Sequence, residues 1–211
     1  MFYNRILNSG IRLAYLVSQY PTAGHAFILR EIRKLRELGF DIHVASIRSP
    51  DRPPEKLTAE ELDEYRRTRF IINSNLPAIA AAHIGTFCRN PIRYLAGLSF
   101  ALRLRGPIGK NFFYFVEAVI VGRWMRGAKL SHVHIHFSST VGLIAQRVFP
   151  ITTSVTMHGP DEFIDPRGFH LAEKIAKAEF ITTVSSYGRS LLLNASSWRQ
   201  WSKIELLPLK K

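Results

Sequence analysis

The strongest constraint on this chain is a repeated alternation of short apolar runs with helical ones. Ile11–Val17 (IRLAYLV) reads as a buried strand that runs into a turn-rich loop, Ser18–Gly24 (SQYPTAG). Over residues 27–38 the apolar residues Phe27, Ile28, Ile32, Leu35 and Leu38 then recur at helical spacing, with Arg30, Arg33, Lys34 and Arg36 mostly outside. Gly39 is the expected helix stop, and Asp41–Ile47 is a second strand. A strand, a helix and a strand within about 40 residues form a βαβ unit, so the two strands are predicted to be parallel.

The rhythm breaks at Ser49–Pro54 (SPDRPP), and Thr58–Glu61 (TAEE) has the form of a capping box opening a short charged helix. Three helices are predicted next, over about 76–88, 91–105 and 110–127, separated by Asn90-Pro91 and Gly106-Pro107. The alternation returns with a strand at Val133–Phe137, a helix over 140–148 and a strand at Thr152–Met157. A helix near 169–177, a strand at Phe180–Val184, a helix from Ser186 and a short strand at Ile204–Leu207 complete it. Such a pattern predicts an α/β fold with a Rossmann-like doubly wound parallel sheet. One domain is expected over residues 1–211, with a helix-rich insertion at about 58–128.

Charge narrows the partners. The 29 Lys and Arg against 16 Asp and Glu give +13. From Arg89 to Lys129 there are eight basic residues and one acid, Glu117, interleaved with Tyr94, Phe100, Phe112, Phe113, Tyr114, Phe115 and Trp124. This stretch has two readings, a solvated basic face over an aromatic core and a surface for anionic membrane lipid. No nucleic-acid motif accompanies the charge, so nucleic acid is not an expected partner. The first apolar run contains Arg12 and does not resemble a signal segment, while the most apolar one, Phe112–Gly122, falls short of the ~20 residues that span a bilayer. A cytoplasmic location is expected, with peripheral attachment to the inner membrane through residues 89–129 as the alternative. The single cysteine, Cys88, cannot form an internal disulfide.

In open parallel sheets, ligands sit beyond the carboxyl ends of the strands. Three loops leave such ends with distinctive residues: 18–25, 136–140 and 157–163. The first lacks the G-x-G-x-x-G fingerprint of a dinucleotide site, but Gly24 before a helix permits close approach by an anionic ligand; a plain turn is the other reading. His132, His134 and His136 share one strand face, and His158 follows the next strand. Neutral imidazoles are good zinc ligands, but with no cysteine in the group the expectation is hydrogen-bonded structural histidines and no metal. At the strand end, His136 is the one assigned a functional role. His158–Glu162 (HGPDE) delivers a histidine, a glycine and two carboxylates into a tight loop, where Asp161 either orients the ring and binds a hydroxyl or caps the next segment. Ser185 reads as a helix N-cap at a position where a ligand also reaches the helix end.

Four segments, Tyr20–Glu31 (YPTAGHAFILRE), His134–Phe137 (HIHF), Thr156–Phe163 (TMHGPDEF) and Thr183–Ser186 (TVSS), occur in that order. Together they resemble the N-terminal domain of glycosyltransferase family 4, in particular bacterial enzymes of colanic acid and exopolysaccharide synthesis. The resemblance covers residues 11–207 and extends to the helix-rich segment 76–128. It implies the N-terminal half of a GT-B architecture, in which this half receives a glycan or lipid-linked acceptor and a second domain grips a nucleotide-sugar. It further implies a retaining, metal-independent transfer with no cofactor beyond that co-substrate.

Carried over by position, Ala23, Gly24 and His25 approach the donor diphosphate and the acceptor. His158 faces the transferred sugar, supported by Asp161; His136, Gly159, Glu162 and Ser185 line the substrate. Two departures stand out. Gly24-His25-Ala26 replaces a Ser-x-Thr-like pattern, and the Glu-rich donor motif is not among these residues. A truncated enzyme is therefore expected, with the donor domain absent or supplied by a separate chain. The competing readings are an inactive glycan-, membrane- or partner-binding module and, disfavoured by the missing fingerprint, an unrelated Rossmann-like enzyme.

Overall fold

The structure, a computed structural model, describes residues 10–159 and 161–207. Seven strands form one sheet in the order β3-β2-β1-β4-β5-β6-β7, every neighbouring pair parallel. They are β1 (Arg12–Gln19), β2 (Asp41–Arg48), β3 (Arg69–Phe70), β4 (His132–His136), β5 (Thr152–Met157), β6 (Ile181–Thr183) and β7 (Ile204–Leu206). The order runs outward from β1 in one direction and from β4 in the other. This is the doubly wound, Rossmann-like arrangement, and its switch point lies between β1 and β4.

Helix α1 (Ala26–Glu37) crosses from β1 to β2 and buries Ile28, Leu29 and Ile32 against Tyr15, Val17, Ile42 and Val44. The capping box forms as expected at α2 (Ala59–Arg67): Thr58 accepts from the Glu61 amide, and the Glu61 carboxylate accepts from the Thr58 amide. Buried Glu64 of α2 accepts from the Tyr20 hydroxyl and pairs with Arg36, tying α2 to α1 and to the loop after β1.

Between β3 and β4 run α3 (Leu76–Arg89), α4 (Pro91–Leu102) and α5 (Ile108–Gly127). They are no appendage. Phe115, Ala118, Val119, Val121 and Met125 of α5 are wholly buried, and α5 packs on α3, α4 and α6 (Ser139–Val148) to cover one sheet face. Contact there is close enough that a Cβ at Gly122 would strike the Phe149 ring, and one at Gly142 of α6 would strike Ile135. The short α7 (Asp161–Ile164), then α8 (Leu171–Lys177) and α9 (Ser186–Asn194), complete the chain of helices.

Departures from the sequence reading are local. The two-residue strand β3 was not predicted, because it is too short to carry a period. Helix α4 stops at Leu102 rather than 105: Leu104 turns inward, and the Asn111 side-chain amide donates to its carbonyl at 2.7 Å. The helix expected near 169–177 begins at Leu171, after His170 adopts a left-handed φ of 52°.

Candidate functional site

A cleft of about 450 Å³ opens at the carboxyl edge of the sheet. Its lining combines Ser18 after the core of β1, Arg48 at the end of β2, and the start of α6 at Ser138, Ser139 and Thr140. Gly159 comes from the loop after β5, Glu162 from the short α7, and Tyr114 and Glu117 from α5. The cleft therefore sits at the switch point, where the chain diverges to both sides and leaves a gap. The amino end of α6 and the Arg48 guanidinium face it with positive charge.

Phe137 forms its wall. This residue follows β4 in a left-handed conformation, φ 62°, unusual for a bulky side chain. Its ring lines the cleft and is also stacked between His25 at 4.4 Å and His158 at 4.6 Å. Phe27 flanks His158 on another side at 4.9 Å.

Two carboxylates of the cleft differ in surroundings. Glu162 accepts from Ser139 and lies 3.4 Å from the buried Lys174 ammonium. Glu117 was seen in sequence only as an interruption of an apolar run. Burial pushes its carboxyl up to about 7, against the opposing pull of Arg48. It can thus exchange a proton near neutral pH.

Behind Phe137, on the α1 side of the sheet, lies a network of polar side chains. The rings of His132 and His134 bond to Ser154 with one nitrogen each, and the other nitrogens bond to Thr152 and Thr156, all within 2.7–2.9 Å. Thr156 continues to Thr182 at 2.6 Å. The histidines on β4 are thus hydrogen-bonded, with partners on β5 supplied by the register His134↔Ser154 and His136↔Thr156. Burial holds the rings of His134 and His158 well below the usual imidazole range, to about 3 each.

The residues singled out in sequence fall into separate groups. His158 and Gly159 stand at the edge, and Glu162 lines the cleft. Direct substrate contact by His136 is corrected: the residue has no exposed surface, because β1, β5 and α1 enclose it, and it reaches the edge only through His158 at 2.8 Å. Ala23–His25 form a single 3-10 turn leading into α1. The Ala23 amide donates to Asp51 and the His25 amide to the Thr22 carbonyl, so two amides of that turn are engaged. Ser185 caps α9, accepting from the Gly188 amide at 3.0 Å. Asp161 opens α7, and its side chain lies outside the described residues.

Donor atoms of Glu31, His134 and His136 come within 4.8 Å of one another. Both nitrogens of His134 and one of His136 are already hydrogen-bonded, so the group reads as a bonded network rather than an open coordination sphere. Glu31, Tyr15, Arg48 and Glu117 were missed by the sequence reading. A signal existed for one of them: Glu31 stands three residues after Ile28, on the helix stripe that packs against the sheet.

No protein-family model matches the chain, and no curated protein matches it. Among solved structures it is similar to a glycosyltransferase from Rickettsia africae ESF-5, with 14% identity and a TM-score of 0.47. The overlap covers 94% of this chain and 43% of that one, so the chain spans less than half that structure's length. A likeness this loose carries no argument; the fold rests on the strand order above.

Proposed function

We propose that this chain is the acceptor-side domain of a sugar transferase, the N-terminal half of a GT-B enzyme of the exopolysaccharide type. It works with a nucleotide-sugar donor held by a domain outside these residues, on a glycan or lipid-linked acceptor, in a retaining transfer without a resident metal. The observation that carries this reading is the cleft. It joins aromatic surfaces (Phe137, Tyr114, Phe169) to hydroxyls and carboxylates (Ser138, Ser139, Glu162, Glu117), the mixture a polyol with apolar ring faces requires, and it adds Arg48 and a helix amino end for an anionic group. His158 lies beside that cleft, stacked on the Phe137 ring that lines it and next in the chain to Gly159 of the lining.

The test is saturation-transfer NMR with polyprenyl-phosphate-linked sugars, free nucleotide-sugars and a nicotinamide dinucleotide as control. Sugar-bearing ligands are expected to bind, and Glu162→Gln or His158→Ala to weaken them by about tenfold, one hydrogen bond's worth. Binding of the dinucleotide alone would move the protein to another class.

A specific observation also favours a lipid surface as partner. On α3–α5 and the turns between them, Leu76, Ile92, Ile108 and Phe113 are each at least 66% exposed, and Arg89, Arg93, Arg103, Arg105 and Lys110 of the same segment are exposed too. Exposed apolar side chains and cations in one segment suit the interface of an anionic bilayer. Among the described residues no helix is long and apolar enough to cross a membrane. Flotation with phosphatidylglycerol vesicles is expected to carry the protein up at low salt and release it at high salt. A protein that stays at the bottom of the gradient under both conditions has no such face.

A further inference from the structure

Four side chains from four segments form a line that ends at the cleft edge. The Tyr15 hydroxyl on β1 donates to Glu31 Oε1 on α1 at 2.7 Å. The same oxygen faces His136 Nε2 on β4 at 3.7 Å. His136 Nδ1 lies 2.8 Å from His158 Nε2, after β5. His136 Nε2 is itself buried and has no hydrogen-bond partner among the described residues. At 3.7 Å it is too far from Glu31 for a hydrogen bond, yet the nearest charge it meets is that carboxylate.

With both rings neutral, this geometry decides which nitrogens carry protons. A short contact between two ring nitrogens needs one proton between them. If His136 Nδ1 held it in a neutral ring, the bare lone pair of Nε2 would point at the Glu31 carboxylate inside the protein, an unpaired repulsive contact. If His158 Nε2 holds it, His136 carries its proton on Nε2 toward the carboxylate and accepts through Nδ1. The second arrangement pairs the short ring contact and turns the Nε2–H of His136 toward the charge of the carboxylate. Burial by itself would raise the Glu31 carboxyl, but His136 and the Tyr15 hydroxyl pull it down to about 2, so the carboxylate is ionised. The other titratable neighbours are neutral or remote from the contact: His134 is bonded to Ser154 and Thr156, and His25 is stacked beyond Phe137.

We infer that Glu31, oriented by Tyr15, acts through His136 to fix His158 in its Nε2–H tautomer, so that His158 Nδ1 offers a lone pair to a ligand hydroxyl. Glu31 is then a positioning residue and touches no substrate. The ring of His158 is held by Phe27 and Phe137, so the direction of that lone pair is set as well as its presence. An acceptor at this point suits the O–H of a polyol and opposes a carboxylate or phosphate oxygen. This ligand preference rests on the carbohydrate reading above; the tautomer does not.

The experiment is long-range proton–nitrogen correlation NMR of the 15N-labelled chain at pH 8, without ligand. Both His136 and His158 are expected to show protonated Nε2 and bare Nδ1. Glu31→Gln, which keeps an acceptor oxygen, retains that pattern, and Glu31→Leu shifts His158 toward the Nδ1–H form. A protonated His158 Nδ1 in the unaltered chain overturns the inference, as does an unchanged pattern in folded Glu31→Leu. If Glu31→Leu does not fold, the spectrum of the unaltered chain decides alone. Titration with a methyl glycoside then separates the two readings. About tenfold weaker binding in Glu31→Leu, with Glu31→Gln within about twofold, supports both. A chain with the expected tautomer that binds no glycoside leaves this inference standing and overturns the carbohydrate reading.

Discussion

Beneath α5 and α6 the sheet presents Ala14, Leu16, Val133, Ile135 and Val155; on its other face the same strands present Tyr15, His134, His136, Ser154 and Thr156. Alternation along each strand makes this division possible, since neighbouring residues point to opposite faces. The first face is held by shape, with glycines at 122 and 142 letting helices and strands touch. The second adds hydrogen bonds between hydroxyls and imidazoles to the apolar packing of α1 on Tyr15 and Val17. A side chain in the first set has many partners of low specificity. His134, Ser154 and Thr156 in the second have two hydrogen-bond partners each, and losing either leaves a buried polar atom unpaired. The buried imidazole network thus lies on the α1 side of the sheet, while the cleft opens on the α5 and α6 side.

This contrast can be broken experimentally. The largest effect is expected from Phe115→Ala, which empties a wholly buried site under α5. A loss of about 3–5 kcal/mol in urea unfolding is expected; a loss no larger than a surface change would mean that the apolar face is loosely packed.

Acidity should act on the other face. The rings of His134 and His158 take up protons near pH 6.5 in the unfolded chain and only near 3 in the folded one. In that interval the unfolded state holds more protons, so stability decreases as pH falls from 6.5 toward 3. Deeply buried His134 contributes on the order of 1 kcal/mol per pH unit, and His158, partly open to solvent, contributes less. Glu31, ionised down to about pH 2 in the folded chain, adds to the decline below its ordinary value of 4.5. Denaturation midpoints measured from pH 7 to 4 that stay flat would show that these rings are not held neutral.

The smallest effect sharpens the contrast. Thr156→Val preserves shape but removes the hydroxyl shared by His134 and Thr182. It should cost about 1–2 kcal/mol in the same unfolding measurement, where a purely steric face would register almost nothing.

Much of this architecture was legible in the sequence. The strands β1, β2, β4 and β5 carry unbroken apolar or alternating runs, and α1 carries a full stripe with Gly39 at its end, so local pattern and tertiary role agree. β3 was illegible because two residues hold no period; it exists by pairing with Ala45 and Ser46 of β2. The site divided along similar lines. His158 was visible because it follows a strand directly, whereas Arg48 and Glu117 meet only when β2 and α5 converge on the cleft. His136 misled for a related reason. Its position at a strand end suggests exposure, but β4 is a central strand, and the residue beyond it, Phe137, occupies the surface instead.

Helix α5 has a geometric consequence. Phe113, turned to solvent, and Glu117, at the cleft wall, are one helical turn apart, about 6 Å along the axis. The same rod continues to Met125 in the interior, so neither end can shift without the other. Were a bilayer to rest on Phe113, as proposed above, its headgroups would lie about one helical turn from the cleft wall. The helix would serve as a ruler, and a lipid-borne acceptor would need to rise only that distance.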